Sequence, residues 1–343
     1  MNIRIILAVT ISLYLSINTS CAQEKKCKKN ILFVHYNVEN LFDTIDDPHK
    51  NDNEFLPEGR KKWDSKKYND KLQKTAFVLK NIDKNKLPDF VSLVEIENRT
   101  VLEALVNEKD LEKANYQIIH HESPDARGID CALLYNPKSF ELTKATFYQV
   151  KMEDNNYFKT REILYAKGIT KSKDVIHIFV NHWPSRRGGL EKSRPKRALA
   201  AQVLRNSVDS ILSTDANARI VILGDFNDET DNQSITRVLG TNNPESPLFN
   251  MAQADDEKGI GSYHYWKSNE WNMIDQIIIS KALLNATSGL ITKEKAMQIY
   301  REDYILHKNK DGEMVPAKTY GKTYYGGYSD HLPVYQYFYY KCK

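Results

Sequence analysis

Ile220-Val221-Ile222-Leu223-Gly224-Asp225-Phe226-Asn227 is an apolar run that ends on a carboxylate and, two residues later, an amide. The run reads as a buried strand bounded by polar residues. If the strand continues through Asn227, Asp225 and Asn227 share one face and converge on a single phosphate, water or ion at the sheet edge. A turn closed by their side chains onto the backbone is the competing reading of the same residues.

The flanking chain repeats the pattern. Toward the C-terminus, Tyr328-Ser329-Asp330-His331-Leu332-Pro333-Val334 sets an acid beside an imidazole just before the apolar stretch Val334 to Tyr340. Adjacent strand residues face opposite ways, so this pair sits in a loop. Between the two motifs, Trp271 to Ser280 embeds Asp275 in an otherwise apolar strand. A buried Asp has to be paired or hydrogen-bonded to stay charged. His331 is its natural partner, because a carboxylate on one ring nitrogen fixes the tautomer and raises the basicity of the other. Upstream, Val34-His35-Tyr36-Asn37-Val38-Glu39-Asn40, Phe90 to Asn98 and Val180-Asn181-His182-Trp183 are further apolar stretches ending in Asn, Glu or His. Strands whose polar residues gather at one end describe the rim of an active site.

The ordered set Asn37, Glu95, Asn181-His182, Gly224-Asp225-Phe226-Asn227, Asp275 and Ser329-Asp330-His331 resembles the endonuclease/exonuclease/phosphatase superfamily, built around deoxyribonuclease I, from Ile31 to Tyr340. The resemblance implies an α+β fold, a four-layer α/β sandwich in which two mostly antiparallel β-sheets packed face to face are flanked by helices. It also implies a magnesium-dependent phosphoric ester hydrolase, with manganese or calcium as substitutes. Glu95 is then the principal metal ligand, with Asn37 and Asp330 close by; hard oxygen ligands suit magnesium, and no Cys or His cluster suggests zinc. By the same resemblance Asp225 and Asn227 orient the attacking water and hold the phosphate. His331, backed by Asp275, acts as base or phosphate clamp, and a protonated His182 faces the phosphate or leaving oxygen. Asp130 is the expected orienting carboxylate of His182, with an ion pair to Arg127 as its alternative. Arg161 resembles an arginine that approaches the scissile phosphate in the deoxyribonuclease branch, where a guanidinium fork meets two oxygens. A surface pair with Glu162 is the competing reading. Arg127, Asn181, Arg186 and Arg187 complete the expected substrate-binding set. His35, His120, His121, His177 and His264 match no position and read as structural or exposed.

Substrate class is less sharply written. The loop Trp183 to Arg197 carries Arg186, Arg187, Lys192, Arg194, Lys196 and Arg197 against Glu191. Such a run can track a nucleic-acid backbone, or hold an inositol phosphate or lipid headgroup. The tyrosines of Tyr320 to Tyr328 offer stacking faces for bases or sugars. A nuclease acting on DNA, or on RNA, is the leading expectation, with nucleic acid as the partner of a monomer that needs no other protein. A phospholipid or sphingomyelin-type phosphodiesterase and an inositol-phosphate phosphatase are its rivals. A catalytically silent binding module would lack a ligand or a base, and every position is filled.

Forty-nine Lys and Arg against forty-five Asp and Glu give a net charge of +4, a near balance that selects no substrate. Arg4, the apolar Ile5 to Ile17 and the small Ser20-Cys21-Ala22 have the layout of a secretory signal peptide over residues 1–22, too short in its apolar part to span a bilayer. Cleavage after Ala22 leaves residues 23–343 as a single domain, secreted or periplasmic. A lipid on Cys21 is the competing reading. Cys27, Cys131 and Cys342 then remain. The resemblance makes the terminal strands neighbours and so implies a Cys27–Cys342 disulfide, while Cys131 reads as a small buried side chain.

Strands are expected at Ile31–Val38, Phe90–Glu95, Cys131–Tyr135, Ile163–Gly168, Val175–Asn181, Ile220–Asp225, Met273–Ser280 and Val334–Tyr340. Helical spacing appears at Leu72, Ala76, Leu79, at Leu102, Leu105, Val106, and at Ala201, Leu204, Val208, Ile211. Asp43 to Lys71, rich in Asp, Lys and Asn, reads as a long surface loop.

Overall fold

Alternation along β1 (Lys29–Leu41) sets the architecture. Ile31 and Phe33 face one side and Leu32 and Val34 the other, and all four are fully buried, so the strand is covered on both faces. A computed structural model describes residues 29–341 apart from 154, 156, 157 and 242. The leader, Cys27 and Cys342 lie outside the described residues, and with them the expected cleavage site and disulfide.

The chain continues through β2 (Phe90–Ile96), β3 (Gln117–His120), β4 (Asp130–Tyr135), β5 (Phe140–Tyr148), β6 (Ile163–Thr170), β7 (Val175–His182), β8 (Arg219–Asp225) and β9 (Leu248–Asn250). A hairpin of β10 (Tyr263–Tyr265) and β11 (Glu270–Asn272) leads into β12 (Asp275–Ser280), β13 (Gly289–Ile291) and β14 (Gln298–Ile299). A second hairpin, β15 (Leu306–Lys308) with β16 (Met314–Pro316), precedes β17 (Val334–Lys341). Among the described residues, one sheet runs β13-β17-β1-β2-β4-β3 with β14 beside β17, and the other β5-β6-β7-β8-β12-β9. Each is antiparallel but for one parallel pair, β1 with β2 and β7 with β8.

Three apolar cores define four layers. Ile31, Phe33, Phe90 and Val94 of the first sheet meet Ile178, Val180, Val221, Leu223 and Ile277 of the second in the central core. Outside the first sheet, Leu32, Val34, Val91 and Leu93 pack on helices α1 (Ser65–Asn81) and α2 (Arg99–Val106). Outside the second, Phe179, Ile220 and Ile222 pack on Ala200, Leu204 and Val208 of α3 (Leu190–Thr214). The structure is the expected α+β sandwich of helix, sheet, sheet and helix. Helix starts follow local chemistry: the Asp64 and Asn98 side chains accept from the backbone N–H of Lys67 and Val101, capping donors the first turn leaves unmet.

Two segments differ from expectation. Asp43 to Lys71 is not a solvated loop throughout: α1 begins at Ser65, and Phe55, Trp63 and Lys71 are buried. Phe42 stacks on Phe55 with ring centroids 4.1 Å apart, and Trp63 Nε1 donates to the Phe42 carbonyl. The basic stretch Trp183 to Arg197 is a loop only as far as Gly189, after which it is the first two turns of α3.

Candidate active site

The alternation that builds the central core also builds the site. On β1 the inward residues run Ile31, Phe33, then His35 and Asn37; on β7, Ile176, Ile178, Val180, then His182; on β8, Val221, Leu223, then Asp225; on β12, read backwards, Ile279, Ile277, then Asp275. Apolar side chains fill the sandwich and polar ones occupy its rim. His182 is in register with Asp225, and Asp225 with Asp275, so the three form a row across neighbouring strands.

Backbone irregularities re-aim the remaining groups. The β1–β2 register shifts between Asn37 and Leu41, and the β2–β4 register between Val94 and Ile96. Glu39, Asn40, Glu95 and Asn227 have positive φ values of 52°, 54°, 65° and 51°. Bulges and left-handed residues of this kind collect beside functional sites. Glu95 lies between inward Val94 and buried Ile96, and its kink turns the carboxylate toward the cleft: Oε1 is 4.0 Å from His182 Nε2, and Oε2 accepts from Asn40 N at 2.9 Å. At Asn227 the turn reading of the opening motif is the one realised. β8 stops at Asp225, Asn227 N donates to Asp225 Oδ1 at 2.9 Å, and its Nδ2 donates to the Trp183 carbonyl at 3.0 Å. The pair converges through a turn and not along a strand face. Gly224 is required there, since a Cβ would lie 2.3 Å from the Asn181 carbonyl oxygen.

Asp275 is the electrostatic centre. Its Oδ2 is 2.7 Å from His331 Nδ1 and accepts from Ser262 Oγ at 2.6 Å, while Oδ1 is 3.2 Å from His35 Nε2. Burial alone would raise its pKa, but the His331 charge and these hydrogen bonds hold it well below the usual carboxylate range. For His331, burial pulls downward and Asp275 outweighs it, so the imidazole is held well above its ordinary value and stays charged. His331 Nε2 faces Asn37 Nδ2 at 3.4 Å. Two donors side by side cannot bond each other, which leaves both available to an anion. Asp225, in contrast, is pushed up to about 7, first by burial and then by Asp275 against the pull of His331. Asn37 Nδ2 donates to its Oδ2 at 3.0 Å.

Several expected roles change. His182 is driven well below the ordinary imidazole value by burial and by the nearby charges of Arg161 and Arg127, so it is neutral and not protonated. Asp130 does not orient it: the Asp130 carboxylate is engaged by His120 Nε2 at 2.9 Å and Ser123 N at 2.8 Å, and His182 Nδ1 has no hydrogen-bond partner among the described residues. Asn181, beside His182 on the strand, faces the other way. It is fully buried, with its amide bonded to the Leu223 carbonyl and Trp183 Nε1, so it holds structure and does not reach substrate. Arg186 is spent on the Asn227 carbonyl and Glu229. Arg161 pairs with Asp125 at 3.0 Å and donates to the Trp183 carbonyl, and Glu162 is taken by His121. Arg127 lies 3.6 Å from Asp125 and does not pair with Asp130. Arg187 is exposed. Arg197 is buried against Asp228.

His35 is the residue whose place was least visible. It lies deep in the sandwich, bridging Asp275 and Ser92 Oγ, the latter at 2.9 Å. The signal was its parity, two residues before Asn37 on the same strand face. Tyr263, its ring centroid 4.8 Å from that of His331, had no comparable signal; Ser329, part of the Ser329-Asp330-His331 motif, donates its hydroxyl to the Asn37 carbonyl.

The donor set fits a hard cation at Glu95 and Asp330. Asp330 is raised by burial and, against the pull of His331, by the negative charge of Glu95, the mutual repulsion that a divalent ion relieves. Asn37, expected as a third ligand, turns its carbonyl oxygen to Glu39 N at 3.0 Å and presents nitrogen to the site. Asp225, Asp275 and His331 offer ligand atoms within 4.8 Å of one another, but Asp275 and His331 already bond each other there.

A polar rim of this composition, carried by these strand ends, has known relatives. The sequence profile described as Endonuclease/Exonuclease/phosphatase family matches residues 32–340. The chain belongs to this family. Its members are hydrolases of phosphoester bonds, typically dependent on a divalent metal. Among solved structures, an endonuclease/exonuclease/phosphatase family protein from Bacteroides thetaiotaomicron is 12% identical with a TM-score of 0.57, covering 91% of this chain and 98% of its own. D. rerio TDP2 complexed with single strand DNA product is 15% identical with a TM-score of 0.55, over 90% and 98% of the two chains. The human Nocturnin catalytic domain with bound sulfate anion is 16% identical with a TM-score of 0.54, over 91% and 93%. At these identities the likeness is one of fold. No curated protein matches significantly in sequence.

Proposed function

We propose that this protein is a metal-dependent phosphodiesterase that cleaves nucleic acid strands. The observation that carries the reading is the buried Asp225–Asp275–His331 cluster facing the Glu95 and Asp330 carboxylates, a charged base-and-clamp arrangement beside a set of hard oxygens. Asp225, poised near neutrality with Asn227 N on one oxygen and Asn37 on the other, takes the proton of an attacking water. The charged His331 donates from Nε2 to a non-bridging phosphate oxygen, and Asn37 Nδ2 supplies the neighbouring donor. Neutral His182 lines the opposite wall, its Nε2 3.5 Å from Asp225. Glu95 and Asp330 would hold magnesium or manganese, whose charge neutralises phosphate oxygens. A nucleic-acid substrate is favoured by the fold shared with a TDP2 bound to single strand DNA product. The apolar leader over residues 1–22 supports export, which a mature N-terminus at Gln23 would verify.

Purified protein offered single-stranded DNA, plasmid, RNA, bis(4-nitrophenyl) phosphate, inositol phosphates and sphingomyelin, with magnesium, manganese or chelator, tests the reading. Metal-dependent cleavage of a strand and of the aromatic diester is expected. Turnover of inositol phosphate or lipid alone would discard the nucleic-acid substrate, and turnover of nothing would discard the activity.

A further inference from the structure

We infer that a second phosphate of the substrate, separate from the one cleaved, is held in a basic pocket beside the active site. The inference rests on the phosphodiesterase reading above. A pocket of about 350 Å³ is lined by Arg127, Lys159, Thr160, Arg161, Arg187 and Lys196, and follows the chain just beyond His182 at Pro184 and Ser185. Five of those six side chains are cationic. Among the described residues Asp125 answers two of them, with its Oδ2 3.0 Å from Arg161 Nη1 and its Oδ1 3.6 Å from Arg127 Nε. Lys159, Arg187 and Lys196 have no carboxylate within ion-pair distance among the described residues.

Charge alone would describe a solvated face. Two buried donors point to a ligand. Arg161 is 5% exposed and Thr160 3%, and Arg161 Nε and Thr160 Oγ1 have no hydrogen-bond partner among the described residues. Buried donors are almost always satisfied, so a pair of them in one basic cavity marks a place where acceptors arrive. Arg161 is also pre-positioned: Asp125 fixes one terminal nitrogen and the Trp183 carbonyl the other, so its guanidinium cannot swing away. A phosphate group supplies several charged acceptor oxygens at once, matching the guanidinium edge, the hydroxyl and the lysines. A neutral acceptor could meet the two donors but would leave the cations uncompensated.

The pocket is distinct from the scissile position. The Trp183 carbonyl accepts from Arg161 Nη2, which lines the pocket, and from Asn227 Nδ2, which belongs to the catalytic turn, the latter at 3.0 Å. That peptide is a shared wall. A phosphate in the pocket therefore lies beside the cleaved one, with Arg161 at the boundary between them. The phosphate is either a strand terminus or the next internal diester.

Calorimetric titration in chelator, where turnover is absent, compares thymidine dinucleotide without end phosphate, the same with a 5′- or a 3′-phosphate, and the trinucleotide. At least one ligand with a second phosphate is expected to bind about tenfold tighter than the plain dinucleotide, and its identity separates a terminal from an internal phosphate. The ratio should fall close to one in Lys159→Ala/Lys196→Ala, two exposed side chains whose loss leaves the fold intact by circular dichroism. Equal affinities, no binding of any of the four, or a ratio unchanged in the variant would overturn the pocket. A preserved ratio with no turnover of any diester on adding metal would refute the activity and leave the pocket standing.

Discussion

Asp275→Asn removes one charge from the interior while keeping the side chain's size. In the wild type that charge neutralises His331 at 2.7 Å and accepts from Ser262 and His35. Removing one partner of a buried ion pair costs about 3–5 kcal/mol, because the other charge is left uncompensated. The cost depends on pH, and its sign follows from the two shifts. His331 is held above its unfolded value of about 6.5, so its contribution is complete below that pH and fades as pH rises through the folded value. Asp275 is held below its unfolded value of about 3.9, so its contribution is complete above that pH and fades as pH falls through the folded value. The pair thus stabilises most between about pH 4 and 6.5. Urea unfolding should show a gap of about 3–5 kcal/mol between wild type and variant near pH 6, narrowing at higher pH as the wild-type His331 contribution fades. At neutral pH the variant should lose about 10²–10⁴-fold in kcat on bis(4-nitrophenyl) phosphate, since a neutral imidazole no longer clamps the anion. A gap that stays constant from pH 5 to 9, or a wild-type rate, would refute the assignment of charge to this pair.

Glu95→Gln should raise the half-saturating magnesium concentration by about ten- to a hundredfold and lower kcat, seen in a metal titration of activity; an unchanged titration would place the ion elsewhere. Gly224→Ala should destabilise by about 1–3 kcal/mol in thermal melts, because the new methyl meets the Asn181 carbonyl, a backbone atom that cannot step aside. Asn181→Ala should cost about 1–2 kcal/mol of stability with KM unaltered, whereas a rise in KM alone would restore it to the substrate site. In chelator, the infrared carboxyl band of Asp225 should titrate near pH 7 and vanish in Asp225→Asn; titration near 4 would exclude it as the base.

Long apolar strands were legible because both faces of each are covered, which writes them as near-continuous hydrophobic runs. The eight expected strands all appear, with ends within three residues of expectation. Edge and hairpin strands were not legible: β3, β9 and the two hairpins are only three or four residues long, and β5 mixes Glu, Lys and Thr into an edge position. Buried Phe55 and Trp63 were hidden by the polar residues around them. Within the site, the pairing of Asp275 with His331 followed from the cost of an unpaired buried acid. Parity could have gone further. Asn181 and His182 are adjacent on one strand, so only one can face the rim, and His35 shares its face with Asn37. The partners of Arg161 and Arg186 lie more than twenty residues away in sequence, which no local pattern reports; those of Asp130 are near in sequence, but their approach depends on how β3 pairs with β4.

The two-residue repeat along β1, β7, β8 and β12 has one more consequence. Sliding any of these strands by a single residue would exchange its inner and outer faces and carry the rim residue out of the cleft. Because both faces are apolar, the core alone discriminates weakly against such a slip, and the polar groups at the strand ends carry the distinction. Asp275 meets His331 and His35 only in the native register, so the groups that serve chemistry also hold the strands in place.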